Sequence, residues 1–293
     1  MGVEFVSYNY EDIRNFYFEN EYGQRIDCQK VNGNLFLYNI SGLGFEKNTE
    51  YVKVGSRYIT NKEDLVQIPI NGELEFDEMT YDEYSNFVDF ILQANSLKLI
   101  YVPKKSARTE YFRDVDVTQL VKEEEDDFNV LTCPITMIPK SLWYEKNDII
   151  YTAEIFDDEL RWDFEWDSRF ADYENRNIIF ENKGHVEASF LLELNGYLEN
   201  PAISIYVDNE KKYELALNLI LEQNEKIIYS TEDDNLRLCL IDENGNETNL
   251  FNELDLNKIN FFKIPKGVSE LRLTADNEIL NSKLTIFVEY IAV

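Results

Sequence analysis

The sequence has little cysteine, glycine and proline, and each shortage excludes a class of structure. Its three cysteines, Cys28, Cys133 and Cys239, are far apart and form no CxxC pair, which argues against a disulfide framework and a zinc site. We therefore expect free thiols in a reducing compartment. With only 11 Gly and 6 Pro, and 44% hydrophobic residues, the chain can bury cores and is not expected to be disordered.

Long hydrophobic runs are also missing. No apolar run approaches the roughly 18 residues that a membrane-spanning helix needs. Residues 1–23 are acidic and lack the basic and apolar regions of a secretory signal. The sequence therefore predicts no membrane span and no secretory leader.

Basic residues are scarce: there are 28 Lys and Arg against 57 Asp and Glu, and the formal net charge is −29. Nucleic acids and anionic membranes are bound through basic surfaces, so we expect no stable nucleic-acid binding. One run, Glu123–Asp127, concentrates the negative charge and is typical of an exposed loop. The acidity indicates either a solvated surface or a surface that repels DNA or docks a basic partner.

Catalytic patterns are absent as well. His185 is the single histidine, and no G-x-S-x-G segment or phosphate-binding loop accompanies it, so a nucleophilic triad is not expected. Gly42-Leu43-Gly44 lacks the third glycine and the following helix of a dinucleotide site. We expect no enzyme activity and no catalytic, cofactor-binding or metal-binding residues.

The first half of the chain reads as strands around one helix. We predict hairpins with turns at Tyr22-Gly23 and at Asn71-Gly72, because both dipeptides favour tight turns. A helix is predicted from Thr80, which with Glu83 forms a capping box. Its apolar residues recur at helical spacing and must cover a sheet. They are Tyr84, Phe87, Val88, Ile91 and Leu92.

The second half alternates apolar and polar residues almost throughout, which predicts strands with one buried face. Asp208-Asn209 and Asn244-Gly245 are predicted hairpin turns. The fold class is therefore mainly β. We predict an α+β domain over residues 1–147, with one helix on a sheet or split barrel, and an antiparallel β-sandwich over residues 148–293.

Several turn motifs of the second half resemble one known family. Asn182-Lys183-Gly184, Leu194-Asn195-Gly196 and Asn200-Pro201 each stand next to a strand, and Phe262–Val268 has the form of an apolar residue followed by Pro-x-Gly. This ordered set is similar to the galectin-like C-terminal domain of siphophage distal tail proteins. Residues 150–177 match nothing in that pattern clearly.

The first half agrees with the same family. Phe18–Gln24 is similar to its early hairpin, and Tyr38–Leu43 resembles the strand and glycine loop that follow. The capped helix, followed by the strand that ends in Tyr101-Val102-Pro103, is placed as in the ring-forming domain of the family. The resemblance thus covers nearly the whole chain in order.

The resemblance implies a structural role in a virion, at the tail tip or baseplate, after assembly in the host cytoplasm. The chain would form a homo-hexameric ring that joins the tail tube protein to the tail-associated lysin or fibre hub protein. A receptor-binding or peripheral baseplate protein is a further implied partner. Domain 1–147 would form the ring and domain 148–293 would be galectin-like, from which sugar binding does not follow.

Two surfaces are candidates for contacts in such a ring. The first is the aromatic N-terminal hairpin, and the second is a basic stretch that is either a hairpin tip or a docking point for an acidic neighbour. The aromatic residues are Phe16, Tyr17, Phe18 and Tyr22, and the basic residues are Lys104, Lys105 and Arg108.

An alternative function is a carbohydrate-binding β-sandwich that acts as an adhesion module. In that case Trp162 or Trp166, which lie among acidic residues, would form a stacking platform for a sugar. A role for both tryptophans in a core or an interface is the competing interpretation.

Overall fold

The computed structural model describes residues 14–29, 35–77, 80–104, 109–152, 177–254, 258–277 and 281–293. The chain forms two compact units. The first comprises Met1–Glu145 together with Tyr290–Val293, and the second comprises Lys146–Glu289. The protein is mainly β, as predicted, and the roles assigned to the domains 1–147 and 148–293 stay predictions.

The first unit contains antiparallel strands and the helix α1. The elements are β1 (Asn15–Asn20), β2 (Arg25–Asp27), β3 (Leu35–Ser41), β4 (Lys47–Val54), β5 (Arg57–Leu65), β6 (Ile70–Phe76), α1 (Thr80–Gln93), β7 (Leu97–Val102), β8 (Tyr111–Leu120), β9 (Leu131–Pro139) and the start of β10 (Trp143–Thr152), which continues past Glu145 into the second unit. Seven strands pair in the order β3-β6-β9-β8-β7-β1-β2, while β4 and β5 pair with each other.

Strict alternation in β9 shows why this sheet forms. Leu131, Cys133, Ile135 and Met137 are buried, while the residues between them are half-buried. A strand places successive side chains on opposite faces, so this pattern turns one face of the sheet toward the core.

Helix α1 covers that face through an aromatic contact. Phe87 is buried, and its ring centroid lies 5.4 Å from that of Phe18 and 6.1 Å from that of Phe76. Tyr84 adds an edge contact to Phe76, with ring centroids 5.8 Å apart. The prediction that the helix lies on a sheet is confirmed, except that Leu92 is 77% exposed and belongs to the solvent side.

The predicted turn at Asn71-Gly72 is wrong, because both residues lie inside β6. A side chain on Gly72 would meet Leu37 at 3.1 Å and Ile40 at 3.2 Å, so the glycine makes room for strand β3. The Oδ1 atom of Asn71 accepts a hydrogen bond of 3.0 Å from the Thr136 hydroxyl on β9. Packing against neighbouring strands therefore outweighs the local turn preference.

The second unit is a β-sandwich. Its further strands are β11 (Asn177–Asn182), β12 (Ser189–Asn195), β13 (Leu198–Glu199), β14 (Ala202–Val207), β15 (Glu210–Ala216), β16 (Ile220–Leu221), β17 (Lys226–Ser230), β18 (Arg237–Ile241), β19 (Glu247–Asn249), β20 (Gly267–Thr274) and β21 (Asn281–Tyr290), with a 3-10 helix at Phe251–Glu253. One sheet has the order β11-β20-β14-β15, and the other contains β19-β18-β17-β12-β21.

The two sheets share one apolar core. Leu192 and Leu194 of β12 line a small internal space together with Ile203 of β14 and Leu215 of β15. All four side chains are buried. The alternation that predicted strands with one dry face therefore identifies the residues that meet between the sheets.

Two predicted turns of this unit are confirmed. Asp208 and Asn209 connect β14 to β15 with φ angles of 52° and 65°, which is the left-handed pair that a tight two-residue hairpin requires. Gly245, with φ of 82°, turns the chain between β18 and β19.

The Asn182-Lys183-Gly184 motif has a structural role. The buried Asn182 side chain accepts a hydrogen bond from the Gly184 N–H at 2.9 Å. Its amide donates to the carbonyl oxygens of Val186 at 3.0 Å and Ile264 at 3.1 Å. A Cβ atom on Gly184 would lie 2.5 Å from the carbonyl oxygen of Glu289, so the position excludes other residues.

Replacing Phe87 by Ala is expected to lower the free energy of unfolding by about 3–5 kcal/mol, because it empties the contact between helix and sheet. Urea unfolding measures the loss. The matched control on the same helix is Leu92→Ala, which is expected to change stability by less than about 0.5 kcal/mol. Equal losses in the two variants would contradict the described helix orientation.

Replacing Asn182 by Ala is expected to cost about 2–4 kcal/mol, because a buried N–H and two carbonyl groups lose their partner. Thermal unfolding measures the effect, with Asn244→Ala in an exposed turn as the control. A change in Asn182→Ala no larger than that of the control would show that the motif does not hold the turn.

Candidate interaction surfaces

The hairpin of β4 and β5 exposes apolar side chains on both faces, and we call Lys47–Leu65 the arm. Val52 pairs with Ile59 on one face, and Tyr51 and Tyr58 lie on the other. Tyr51 is 62% exposed and Tyr58 is 69% exposed, and Val52 and Ile59 are exposed as well. A two-stranded hairpin is marginal in water, and apolar patches of this kind mark interaction sites.

Alternating residues explain why the arm folds as a hairpin. β-branched and aromatic side chains flank Gly55-Ser56, and Gly55 has the left-handed φ of 64° that the turn requires. Lys47 pairs with Glu63 across the two strands near the base. The arm therefore forms a regular β-hairpin. Among the described residues, its two strands pair only with each other.

The predicted aromatic contact surface is partly wrong. Phe16 and Phe18 are buried in the core of the first unit, since their positions on β1 face α1 and the inner side of the sheet. Phe16 stacks on Tyr101 with ring centroids 5.0 Å apart. Side chains enclosed in their own protomer cannot contact another copy, so both residues are removed from the candidate surface.

Tyr17 and Tyr22 stay candidates. Tyr17 is half-buried, and its partial burial, with Asp27 nearby, raises the pKa of its hydroxyl. Tyr22 is exposed in the turn after β1. Glu21, which precedes Tyr22, connects this turn to the end of α1. Its carboxylate accepts hydrogen bonds from the N–H groups of Asn95 and Ser96, and these hydrogen bonds lower the pKa of Glu21 to about 2.

The predicted basic surface is described only at Lys104, which is exposed. Lys105 and Arg108 lie outside the described residues, as do Trp162 and Trp166 of the sugar-binding alternative. For these four residues the assignments stay predictions.

An acidic loop joins β8 to β9, and we use that name for Val121–Val130. Its carboxylates at Glu123, Glu124, Asp126 and Asp127 are exposed, as predicted from the charge run. Asp126 orders the turn, because its Oδ1 atom accepts the N–H of Phe128 at 2.8 Å and that of Val130 at 3.0 Å.

The acidic loop is also held on the start of α1. The Thr80 hydroxyl donates to the Glu125 carboxylate. The Lys122 ammonium lies 4.6 Å from the ring centroid of Tyr81 and 5.0 Å from that of Tyr84. The loop thus carries negative charges and exposed aromatic groups, since Phe128 is 83% exposed and Tyr81, at the start of α1, is exposed as well.

The outer face of the β11-β20-β14-β15 sheet holds one aromatic residue in a charged cluster. The Arg272 guanidinium lies 3.9 Å from the ring centroid of Tyr206 and donates to Glu270 at 2.9 and 3.1 Å. One face of this ring is therefore already occupied by a side chain of the same sheet.

No group of three His, Cys, Asp or Glu side chains that could hold a metal ion occurs within the described ranges. In the same ranges, no helix is long and apolar enough to cross a membrane. Cys28, Cys133 and Cys239 are all buried, and burial raises the pKa of the Cys28 thiol. These thiols are packed side chains of the two cores.

Sequence reasoning missed the arm. The signal was present, since β-branched and aromatic residues alternate with polar ones on either side of Gly55-Ser56. The charge pattern was missed too: Tyr51–Lys62 contains three basic residues and no acidic one, so the stretch at Lys104–Arg108 is not the only basic segment.

Most of the first unit matches the model of one known protein family. Residues 15–140 match the family model described as distal tail protein, N-terminal domain. Among curated proteins, none matches the chain. The matched range contains the arm, the acidic loop and α1.

The fold as a whole is similar to chains of solved phage structures. One is in the phage P2 baseplate in its activated conformation with Ca, with a TM-score of 0.67 and 15% identity over 96% of this chain and 100% of that chain. The same baseplate with Sr gives 0.66 and 16% over the same shares. The crystal structure of SPP1 Dit, described as a paradigm of the hub adsorption apparatus in phages that infect Gram-positive bacteria, gives 0.58 and 9%, over 93% and 98%. These likenesses show a shared fold.

The exposure of the arm predicts that its apolar side chains do not stabilise the isolated protomer. The double substitution Val52→Ser/Ile59→Ser is expected to change the free energy of unfolding by less than about 1 kcal/mol. Urea unfolding of dilute, monomeric protein measures this. In contrast Ile70→Ser, at a fully buried position in β6, is expected to cost more than about 3 kcal/mol. A large loss in the arm variant would show that the arm packs within its own chain.

Proposed function

We propose that the chain is a distal tail protein that forms a hexameric ring in a phage tail, because residues 15–140 match the N-terminal domain of that family. The ring joins the tail tube protein on one side to the tail-associated lysin or fibre hub protein on the other. A receptor-binding or peripheral baseplate protein is a further partner. Its place is the tail tip of the virion, after assembly in the host cytoplasm.

The family match to residues 15–140 carries the proposal, because it falls on the unit that presents the arm. A closed ring of identical subunits needs an interface made of two different surfaces of one chain. The arm supplies an apolar surface of the required kind, since both of its faces are exposed in the protomer. We assign the arm to contacts between neighbouring copies, together with Tyr17, Tyr22 and the basic segment that begins at Lys104.

The second unit is the galectin-like domain in this proposal. Its two-sheet sandwich supports the assignment, as does the similarity over 96% of the chain to a phage P2 baseplate protein. It is placed at the periphery of the ring, where it contacts other baseplate proteins. Sugar binding is not part of the proposal, because galectin folds serve many functions.

The protein acts without catalysis in this account. Distal tail proteins are structural parts of phage tails, and the role asked of this chain is to connect other proteins. The net charge of −29 suits a ring through which DNA passes, because like charge prevents the phosphate backbone from binding to its wall.

The oligomeric state tests this function. Six protomers of 34.6 kDa correspond to a particle of about 208 kDa, and light scattering of the purified chain is expected to give that mass at micromolar concentration. The same protein after dilution is expected to pass toward the monomer mass. A monomer across the whole concentration range, or a dimer as the largest species, would contradict the hexameric ring.

A further inference from the structure

The arm and the acidic loop are complementary in both charge and apolar character. The arm tip, Tyr51–Lys62, has three basic residues and no acidic one in a chain of net charge −29. Strand pairing places Lys53 opposite Tyr58 and Arg57 opposite Val54, so each face of the tip carries a cation beside apolar groups.

Two cations at the end of the arm have no ion-pair partner among the described residues. Lys62, nearer the base, pairs with Asp64. Neither Lys53 nor Arg57 forms an ion pair with any residue that the structure describes, and both are exposed. Two uncompensated cations on an apolar hairpin are available to a partner that offers carboxylates next to apolar side chains.

The acidic loop offers that combination. Glu123 and Glu124 are exposed, and Phe128 and Tyr81 expose aromatic rings beside them. The loop is ordered by Asp126 and held on α1 through Thr80 and Lys122, so its backbone is arranged before a partner binds. A preordered surface loses less conformational entropy on association.

We propose that the arm tip of one copy binds the acidic loop of the next copy, an inference that rests on the hexameric ring proposed above. Both surfaces belong to the range that matches the family, residues 15–140. They are two different surfaces of one chain, so the contact can be repeated head to tail from copy to copy. A head-to-tail contact of this type, repeated with a rotation that closes, generates a ring.

The ion pairs and the apolar contacts contribute differently to this interface. Exposed ion pairs contribute little to affinity, so most of it comes from the apolar side chains of the arm. Complementary charges steer the encounter, fix its orientation and disfavour wrong pairings. Because salt shortens the range of exposed charges from about 8 Å at 0.15 M to about 3 Å at 1 M, added salt weakens the ring.

Charge reversal and its compensation test the contact. Lys53→Glu/Arg57→Glu is expected to raise the protein concentration at which the oligomer half dissociates by at least about tenfold, because like charges then meet. Glu123→Lys/Glu124→Lys is expected to do the same. The variant that carries all four substitutions restores opposite charges and is expected to return to within about threefold of the wild-type value. Mass photometry or sedimentation across a dilution series gives these midpoints.

A matched control separates the local contact from total charge. Lys183→Glu/Lys212→Glu changes the net charge by the same amount at exposed positions of the second unit and is expected to leave the midpoint unchanged. Melting temperatures confirm that each variant folds. If the wild type forms hexamers whose stability is unaltered in Lys53→Glu/Arg57→Glu, or the fourfold variant fails to recover, the pairing is overturned while the ring stands. A wild type that never assembles overturns both.

Discussion

The central constraint is an apolar hairpin whose side chains are exposed outside the core of the first unit. The arm, Lys47–Leu65, exposes Val52 and Ile59 on one face and Tyr51 and Tyr58 on the other. Water penalises such surface, and the two strands pair only with each other among the described residues. The rest of the first unit is a sheet closed on one side by α1, which leaves the arm without a core to join. In the proposed ring, the arm of one copy is covered by the next copy through a head-to-tail contact.

Much of the fold follows from local rules that the sequence displays. A helix was predicted from Thr80, and α1 begins there with Phe87 buried against Phe18 and Phe76. Asp208-Asn209 formed the predicted turn because both residues tolerate positive φ. The motif Asn182-Lys183-Gly184, which supported the family resemblance, holds a buried turn through three hydrogen bonds of one amide. Turn chemistry of this kind is written in a few neighbouring residues, so it can be predicted.

The candidate site was harder to predict because burial depends on residues far away in the sequence. Phe16 and Phe18 have the composition of an interface, yet their strand faces α1 and they belong to the core. Asn71-Gly72 has the composition of a turn, yet both residues lie in β6, and side chains of the paired strand β3 occupy the space next to Gly72. The arm was visible as alternation around Gly55, but its exposure on both faces depends on the tertiary packing of the described residues, which the local sequence does not reveal. Composition identifies segments that could form an interface, and tertiary packing decides which of these segments are exposed.

The most direct test of the account is a single-particle reconstruction of the purified full-length chain by cryo-electron microscopy. We expect a six-fold ring built from the first unit, in which the density of the arm crosses to the neighbouring protomer. Monomers, or a ring in which the arm contacts only its own protomer, would contradict it.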